Sequence, residues 1–256
     1  MCLQTRIDGP VGWLTMDRPA AMNSLNRATA GAMAAQLDAW RDDPAIRVVV
    51  LTGNGRAFCA GADLKEVAEP GTTGEPDFLD VVVRFIDTLR AFPKPVIAAV
   101  NGLALAGGLE TVMACDLVLA AESAKLGDAH ANFGVFPGAG GAAVLSRKLP
   151  PNAARWLLYT GESFTAAQME RFGLVNEVVP DAVLQTRAQA LAQALAAKSP
   201  LVLARMKRVV AEAADKTLGD ALRHELLELR NHQRSHDMRE GLQAFTEKRQ
   251  PVFQGR

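Results

Sequence analysis

The spacing of apolar positions divides this chain into segments of different period. Two short apolar runs, around Ile7 and from Val11 to Met16, flank Asp8-Gly9-Pro10 and predict an N-terminal hairpin. Met33, Leu37 and Trp40 then fall at helical spacing behind Asn26, a good N-cap, and Asp42-Asp43-Pro44 ends the helix. IRVVVLTG is an unbroken β-branched run of the kind buried on both faces of a parallel sheet. DFLDVVVRFIDTLRAF places Phe78, Val82, Phe85, Leu89 and Phe92 on one helical stripe, and KPVIAAVNG and CDLVLA read as further buried strands. Strand and helix alternate, so the first two-thirds predict an α/β fold with right-handed crossovers. The stretch GTTGEP, 71–76, is the segment least determined by pattern.

From Pro150 onward the periodicity is almost wholly helical. Thr165 with Gln168 predicts one capping box and Asp237 with Glu240 another. Helices near 181–198, 201–215, 217–235 and 237–249 carry apolar faces with no evident sheet to cover. Those faces are expected to pack on the core or on a neighbouring subunit, with the core spanning 1–195 and a helical region 196–256.

Length and charge narrow the partners. The 256 residues are 49% hydrophobic and 22% charged, enough for a sizeable core. Lys+Arg and Asp+Glu both total 28, so no global basic field draws nucleic acid or an anionic membrane. Cys2, Cys59 and Cys115 are few and scattered, which fits neither a disulfide framework nor a Cys-rich metal site. Without an apolar run long enough for a bilayer or a secretory core at the start, the expected compartment is the cytoplasm.

Chemistry is concentrated in NGLALAGGLETVMACD, Asn101 to Asp116, where a glycine pair and a carboxylate interrupt an apolar run. Gly107-Gly108 precede a helical segment, and a helix start presents unpaired N–H groups that a ligand oxygen can approach closely. The loop RAFCAGADL has similar features, with Ala60, Gly61 and Ala62 before a helix start near Asp63. Two backbone donors from separate loops, converging on one carbonyl oxygen, stabilise an enolate. Glu110 falls one helical turn beyond Gly107. On residue type alone, each glycine loop fits close packing better than catalysis, and Glu110 equally fits a solvent-facing or paired glutamate.

FCAGADL, KPVIAAVNGLALAGGLE, ACDLVLA and FGVFPGAGG, in that order and spacing, resemble the enoyl-CoA hydratase/isomerase (crotonase) superfamily. The resemblance runs from RPAAMNSLN to FTEKRQPVF. It implies the crotonase fold, an α/β spiral of ββα units with a C-terminal helical region, and an acyl-CoA thioester substrate. It implies no metal or redox cofactor, since coenzyme A arrives as part of the substrate, and a homotrimer or a dimer of trimers. By resemblance, Ala60 and Gly107 are the oxyanion-hole donors. Ala60, Gly61, Ala62, Asp63 and Leu64 line the coenzyme A site, Glu110 is the first of two catalytic glutamates, and Phe245 and Lys248 are the ligand-facing positions of the C-terminal segment.

The second glutamate does not carry over. Aligning AKLGDAHANFGVFPGAGG through Gly127 and FPGAGG puts His130 in its place. An imidazole serves as acid or base near neutral pH, so a Glu110/His130 pair suits hydration of a trans-2-enoyl-CoA. Isomerisation, decarboxylation or hydrolysis of a related acyl-CoA stays open, as does a non-catalytic acyl-CoA-binding scaffold, and His130 itself also fits a residue that only lines the acyl pocket or hydrogen-bonds structurally. Asp128 either orients that imidazole or faces solvent, the second being the expectation. His232 and His236 have metal-ligand spacing, but HQRSH lacks the HExxH glutamate, and a solvated helix face accounts for them. Cys59 reads as a small loop residue, and PGAGG lacks the lysine of a phosphate loop.

Overall fold

The structure, a computed structural model, describes residues 2–68 and 76–256, so GTTGEP lies outside the described residues except for Pro76. In chain order the described elements are β1 (Leu3–Asp8), β2 (Val11–Met16), α1 (Arg27–Arg41), β3 (Val48–Gly53), β4 (Ala57–Cys59), α2 (Leu64–Val67), α3 (Phe78–Arg90), β5 (Val96–Val100), β6 (Leu103–Leu105) and α4 (Gly107–Ala114). They continue through β7 (Leu117–Ala121), β8 (Lys125–Gly127), α5 (Gly141–Lys148), α6 (Pro151–Thr160), β9 (Ser163–Thr165), α7 (Ala166–Arg171) and β10 (Glu177–Val179). The chain ends with α8 (Leu184–Ala196), α9 (Pro200–Ala213), α10 (Leu218–His232) and α11 (His236–Thr246).

The predicted hairpin forms, with Asp8 paired to Val11 across the Gly9-Pro10 turn. Asn26 caps α1 by accepting from Thr29 N at 2.9 Å, and α1 packs on α3, whose stripe is buried from Phe78 to Leu89. The main sheet has the order β1-β2-β3-β5-β7-β10, parallel from β2 onward. Every residue of β3 and β5 is buried, as expected of unbroken apolar runs covered on both faces.

A second sheet, β4-β6-β8-β9, runs beside the first. The chain lays one strand in the main sheet and the next in the small one, as β3 then β4, β5 then β6, β7 then β8. Because β4, β6 and β8 are parallel neighbours, the loops that leave their carboxyl ends emerge side by side. That placement gathers Ala60–Asp63, the start of α4, and Asp128–His130 at one end of the small sheet.

Two expectations about the C-terminal third are corrected. It is almost wholly helical as expected, apart from two short strands: β9 pairs with β8 and β10 extends the main sheet beside β7. Strands of three residues show no alternation to read, and edge pairing rather than propensity places them. Helix α8 does have a sheet to cover: Leu184, Ala188, Ala192 and Ala196 are buried where it crosses β2, β3, β5 and β7. Finally, Asp237 is not a cap, because Ser235 caps α11 by accepting from Met238 N. Asp237 instead is buried in the first turn, binding Ser199 Oγ and the N–H groups of Gln254 and Gly255, while Glu240 binds Arg249 and Val252 N. The Thr165/Gln168 box forms as expected. No residue of α9 or α10 is fully buried, although Lys207 of α9 reaches back to Asp116 and the Lys94 carbonyl.

Candidate active site

Helix α4 is buried along its whole length, and Glu110 within it is only 3% exposed. A carboxylate at such a position must find partners. Its Oε1 accepts the N–H of Ala139 at 2.9 Å and of Gly141 at 2.7 Å. Both donors belong to the PGAGG segment, which Arg90 of α3 holds by donating to Ala139 O. In sequence PGAGG reads as part of a family motif and is weighed as a phosphate loop, and this cradle is not found; its position a few residues after His130 is the available signal. Oε2 has no partner among the described residues and is not among the atoms sealed from solvent.

The start of α4 lies close against β4. A side chain on Gly108 would run into the Cys59 carbonyl, so the glycine pair does serve packing. It also leaves an open donor, because the Gly107 N–H has no acceptor among the described residues. The preceding Ala106 has φ 48° and ψ −117°, a strained conformation for a residue with a Cβ, and is anchored by its own N–H to Gly127 O.

The expected donor Ala60 is corrected by the geometry: its N–H is taken by Met22 O at 3.0 Å. Gly61, at φ 106°, reverses the sense of the chain, and Asp63 N returns to Leu25 O. Between them the Ala62 N–H has no acceptor among the described residues. Ala62 N lies 3.5 Å from the point a Cβ would take on Gly107. The open amides are thus those of Ala62 and Gly107. Asp63 caps α2 and pairs with Arg18 at 3.0 Å, an attachment that lowers its pKa, and Leu64 is exposed. Burial pushes the Cys59 thiol up to about 12, which leaves it neutral and unreactive.

Asp128 and His130 follow β8. The expectation that Asp128 faces solvent is corrected: it is 1% exposed, and its Oδ1 meets His130 Nδ1 at 3.0 Å. The imidazole side chain is 11% exposed. Burial pushes its pKa down, but the bond to Asp128 and the charges of Asp128 and Glu110 outweigh burial and leave it raised. Asp128 Oδ2 and Glu110 Oε1 lie 2.7 Å and 3.2 Å from the point a Gly141 Cβ would take.

Phe245 and Lys248 are not drawn into this cluster. Phe245 is 85% exposed at the end of α11, and the Lys248 side chain makes no hydrogen bond or ion pair among the described residues. His232 and His236 lie at either end of the turn from α10 to α11, and among the described residues no group of three potential metal ligands is found. No helix of the described residues is long and apolar enough to cross a membrane. Two open amides, a buried carboxylate and an imidazole together suit polarisation of a carbonyl coupled to proton transfer.

Comparison with known proteins places the chain in a family. The model of the family described as enoyl-CoA hydratase/isomerase matches residues 6–256. A 2,3-dehydroadipyl-CoA hydratase of Escherichia coli is 39% identical over 95% of this chain and 94% of its own length. A carnitinyl-CoA dehydratase of Salmonella paratyphi A is 37% identical over 97% of each chain. The crystal structure of an enoyl-CoA hydratase from Bacillus anthracis superposes with a TM-score of 0.95 at 34% identity, covering 100% of both chains.

Proposed function

The chain belongs to the enoyl-CoA hydratase/isomerase family and has the crotonase fold, and from that premise we propose that it is an enoyl-CoA hydratase using Glu110 and His130. In this reading the N–H groups of Gly107 and Ala62 hold the thioester oxygen of a trans-2-enoyl-CoA. Glu110 takes a proton from water, and the hydroxide oxygen bonds to the β-carbon. The π electrons move through the α-carbon onto the thioester oxygen, and the enolate is stabilised by the two amides. His130 then delivers a proton to the α-carbon as the carbonyl re-forms. A proton passes from Glu110 back to His130 before the next turnover.

The observation that carries this reading is a pair of amides without acceptors among the described residues, beside a buried carboxylate whose second oxygen is likewise unbonded among them. Loss of the enoyl chromophore of crotonyl-CoA, with a mass gain of one water, tests it. Binding without loss of absorbance supports a non-catalytic acyl-CoA scaffold, and isomerisation of a 3-enoyl-CoA without mass change supports the isomerase alternative. The same groups run in reverse dehydrate a 3-hydroxyacyl-CoA, in line with the relative named as a dehydratase. The reaction needs no resident cofactor, since the ligand brings its own coenzyme A, and the three free cysteines suit the cytoplasm.

We read residues 196–256 as an assembly region. Met206 and Val210 of α9 and Leu222 and Leu226 of α10 are exposed around one apolar groove, a surface that calls for cover. A homotrimer or dimer of trimers supplies it and brings Phe245 and Lys248 to a neighbour's coenzyme A site. Light scattering showing a monomer defeats this reading.

A further inference from the structure

Asp128 is an anomaly that the proposed reaction does not by itself use. It is almost completely buried, yet its Oδ2 is sealed from solvent and has no donor among the described residues. Its Oδ1 accepts both the ring Nδ1–H of His130 at 3.0 Å and the backbone N–H of that residue at 3.3 Å. An ionised carboxylate in this setting is destabilising unless a positive charge stands beside it.

His130 is the only described residue in a position to supply that charge. No Lys or Arg pairs with Asp128 among the described residues, and Arg90 is held on Ala139 O and Asp87. From α4, Glu110 adds a second carboxylate on the same side, close to the Gly141 position it shares with Asp128 Oδ2. The Pro137–Gly141 segment has no charged side chain. Helix α6, which packs against the turn holding His130, carries the exposed Arg155 and Tyr159, and neither makes an ion pair with the imidazole. Two anions and no other cation therefore surround one imidazole, whose Nδ1 is occupied and whose Nε2 is unbonded among the described residues.

Resting on the hydratase reading above, we propose that Asp128 is a positioning residue that fixes the His130 ring through its Nδ1–H and keeps the imidazole protonated, so that Nε2 begins each turnover as the acid. Glu110 is then the base. In the hydration direction the Nε2 proton goes to the α-carbon and a water proton to Glu110. This leaves neutral imidazole and a carboxylic acid, and proton return from Glu110 restores the starting charges. The raised pKa of His130 accords with that resting state.

The test is an NMR titration of the imidazole in the full chain, with His130 assigned by loss of its signal in His130→Gln. In wild type the midpoint is expected above the ordinary value of about 6.5. Asp128→Asn is expected to lower it by about one pH unit or more. The same variant should lose about 10²-fold in kcat on crotonyl-CoA at little change in KM, with the alkaline fall of kcat moved to lower pH. Asp128→Glu, which keeps the charge, should hold the midpoint near wild type. A wild-type midpoint at or below the ordinary value overturns the proposal, with no variant needed. So does an Asp128→Asn midpoint equal to wild type. If the wild type hydrates no enoyl-CoA, the hydratase reading fails, and the titration still decides whether Asp128 holds the charge on His130.

Discussion

Replacing Gly141 by alanine is the most direct probe of how the site is held. The new methyl would sit 2.7 Å from Asp128 Oδ2, 2.7 Å from Pro137 Cβ and 3.2 Å from Glu110 Oε1, where ordinary contact begins near 3.4 Å. None of these neighbours is the free end of a flexible chain: Asp128 and Glu110 are buried, and Pro137 is a ring in the cradle loop. Overpacking of this kind costs about 1–3 kcal/mol. Displacing Oε1 also weakens the charge-assisted bond from Gly141 N, a contact type contributing about 1.5–3 kcal/mol. Together the loss is about 2.5–6 kcal/mol, or roughly 5–12 °C in Tm at about 2 °C per kcal/mol for a chain of this size. Shifting the carboxylate by a fraction of an ångström to one ångström should lower kcat by about 10²-fold. Calorimetry and crotonyl-CoA turnover on the same samples read both effects. Gly138→Ala is the control in the same loop, since a Cβ there meets nothing within 4 Å and stability should change by at most about 0.5 kcal/mol. Wild-type turnover and Tm in Gly141→Ala, or an equal loss in Gly138→Ala, refutes the account of the cradle.

Glu110→Gln should leave the Tm within a few degrees, since an amide oxygen can still accept from Ala139 and Gly141, yet reduce kcat by about 10²–10⁴-fold; single-turnover kinetics checks it. The raised pKa of His130 fixes the sign of the pH dependence: the imidazolium and its contact with Asp128 persist above the ordinary value of about 6.5. The acid role of His130, and the stability its charge contributes beside Asp128, should therefore be undiminished at that value and lost only as pH rises through the raised pKa, read as the alkaline limb of kcat and Tm against pH. Asp237→Ala removes the acceptor of Ser199 Oγ, Gln254 N and Gly255 N, and should cost about 2–4 kcal/mol and increase amide exchange in residues 250–256.

Much of the frame was legible because its signals are local. The β-branched run of β3, the stripe of α3 and the Asn26 cap each depend on residues within a few positions of one another, and each appears as the pattern predicts. The three-residue strands did not show, because their pairing is decided by partners far away in sequence, as when β9 meets β8. The site divided along the same line. Gly107 and Glu110 lie on one turn of one helix, so their relation could be read directly. The second donor could not, because the choice between Ala60 and Ala62 depends on which amide faces the Met22–Leu25 segment. Gly61 at positive φ decides it, and a glycine between two alanines was a hint of a turn without its direction. Asp128 reads as solvent-facing from sequence for a related reason: its burial comes from Gly141, thirteen residues on, and from α4, neither visible as a spacing.

Several of this chain's departures from ordinary packing rules fall together, although Met22, Asn23 and Lys248 also have positive φ. Buried polar groups elsewhere find partners: Thr52 donates to Ala99 O, Asn23 donates to the carbonyls of Asn54 and Ala57, and Asp237 accepts from several donors. By contrast Ala106 and Ala129 both have positive φ, Glu110 is a carboxylate inside a buried helix, and Asp128 has a sealed oxygen without a donor. All four stand at the carboxyl ends of β6 and β8 or in the helix that begins there. The other sealed atom without a partner among the described residues, Arg205 Nε, lies on α9 in the region read as an assembly surface. Each such departure costs on the order of 1–3 kcal/mol. At the ends of β6 and β8, strain and buried charge hold the Gly107 amide and the acid–base pair in geometries that relaxed packing would not, which is what a site kept for chemistry requires.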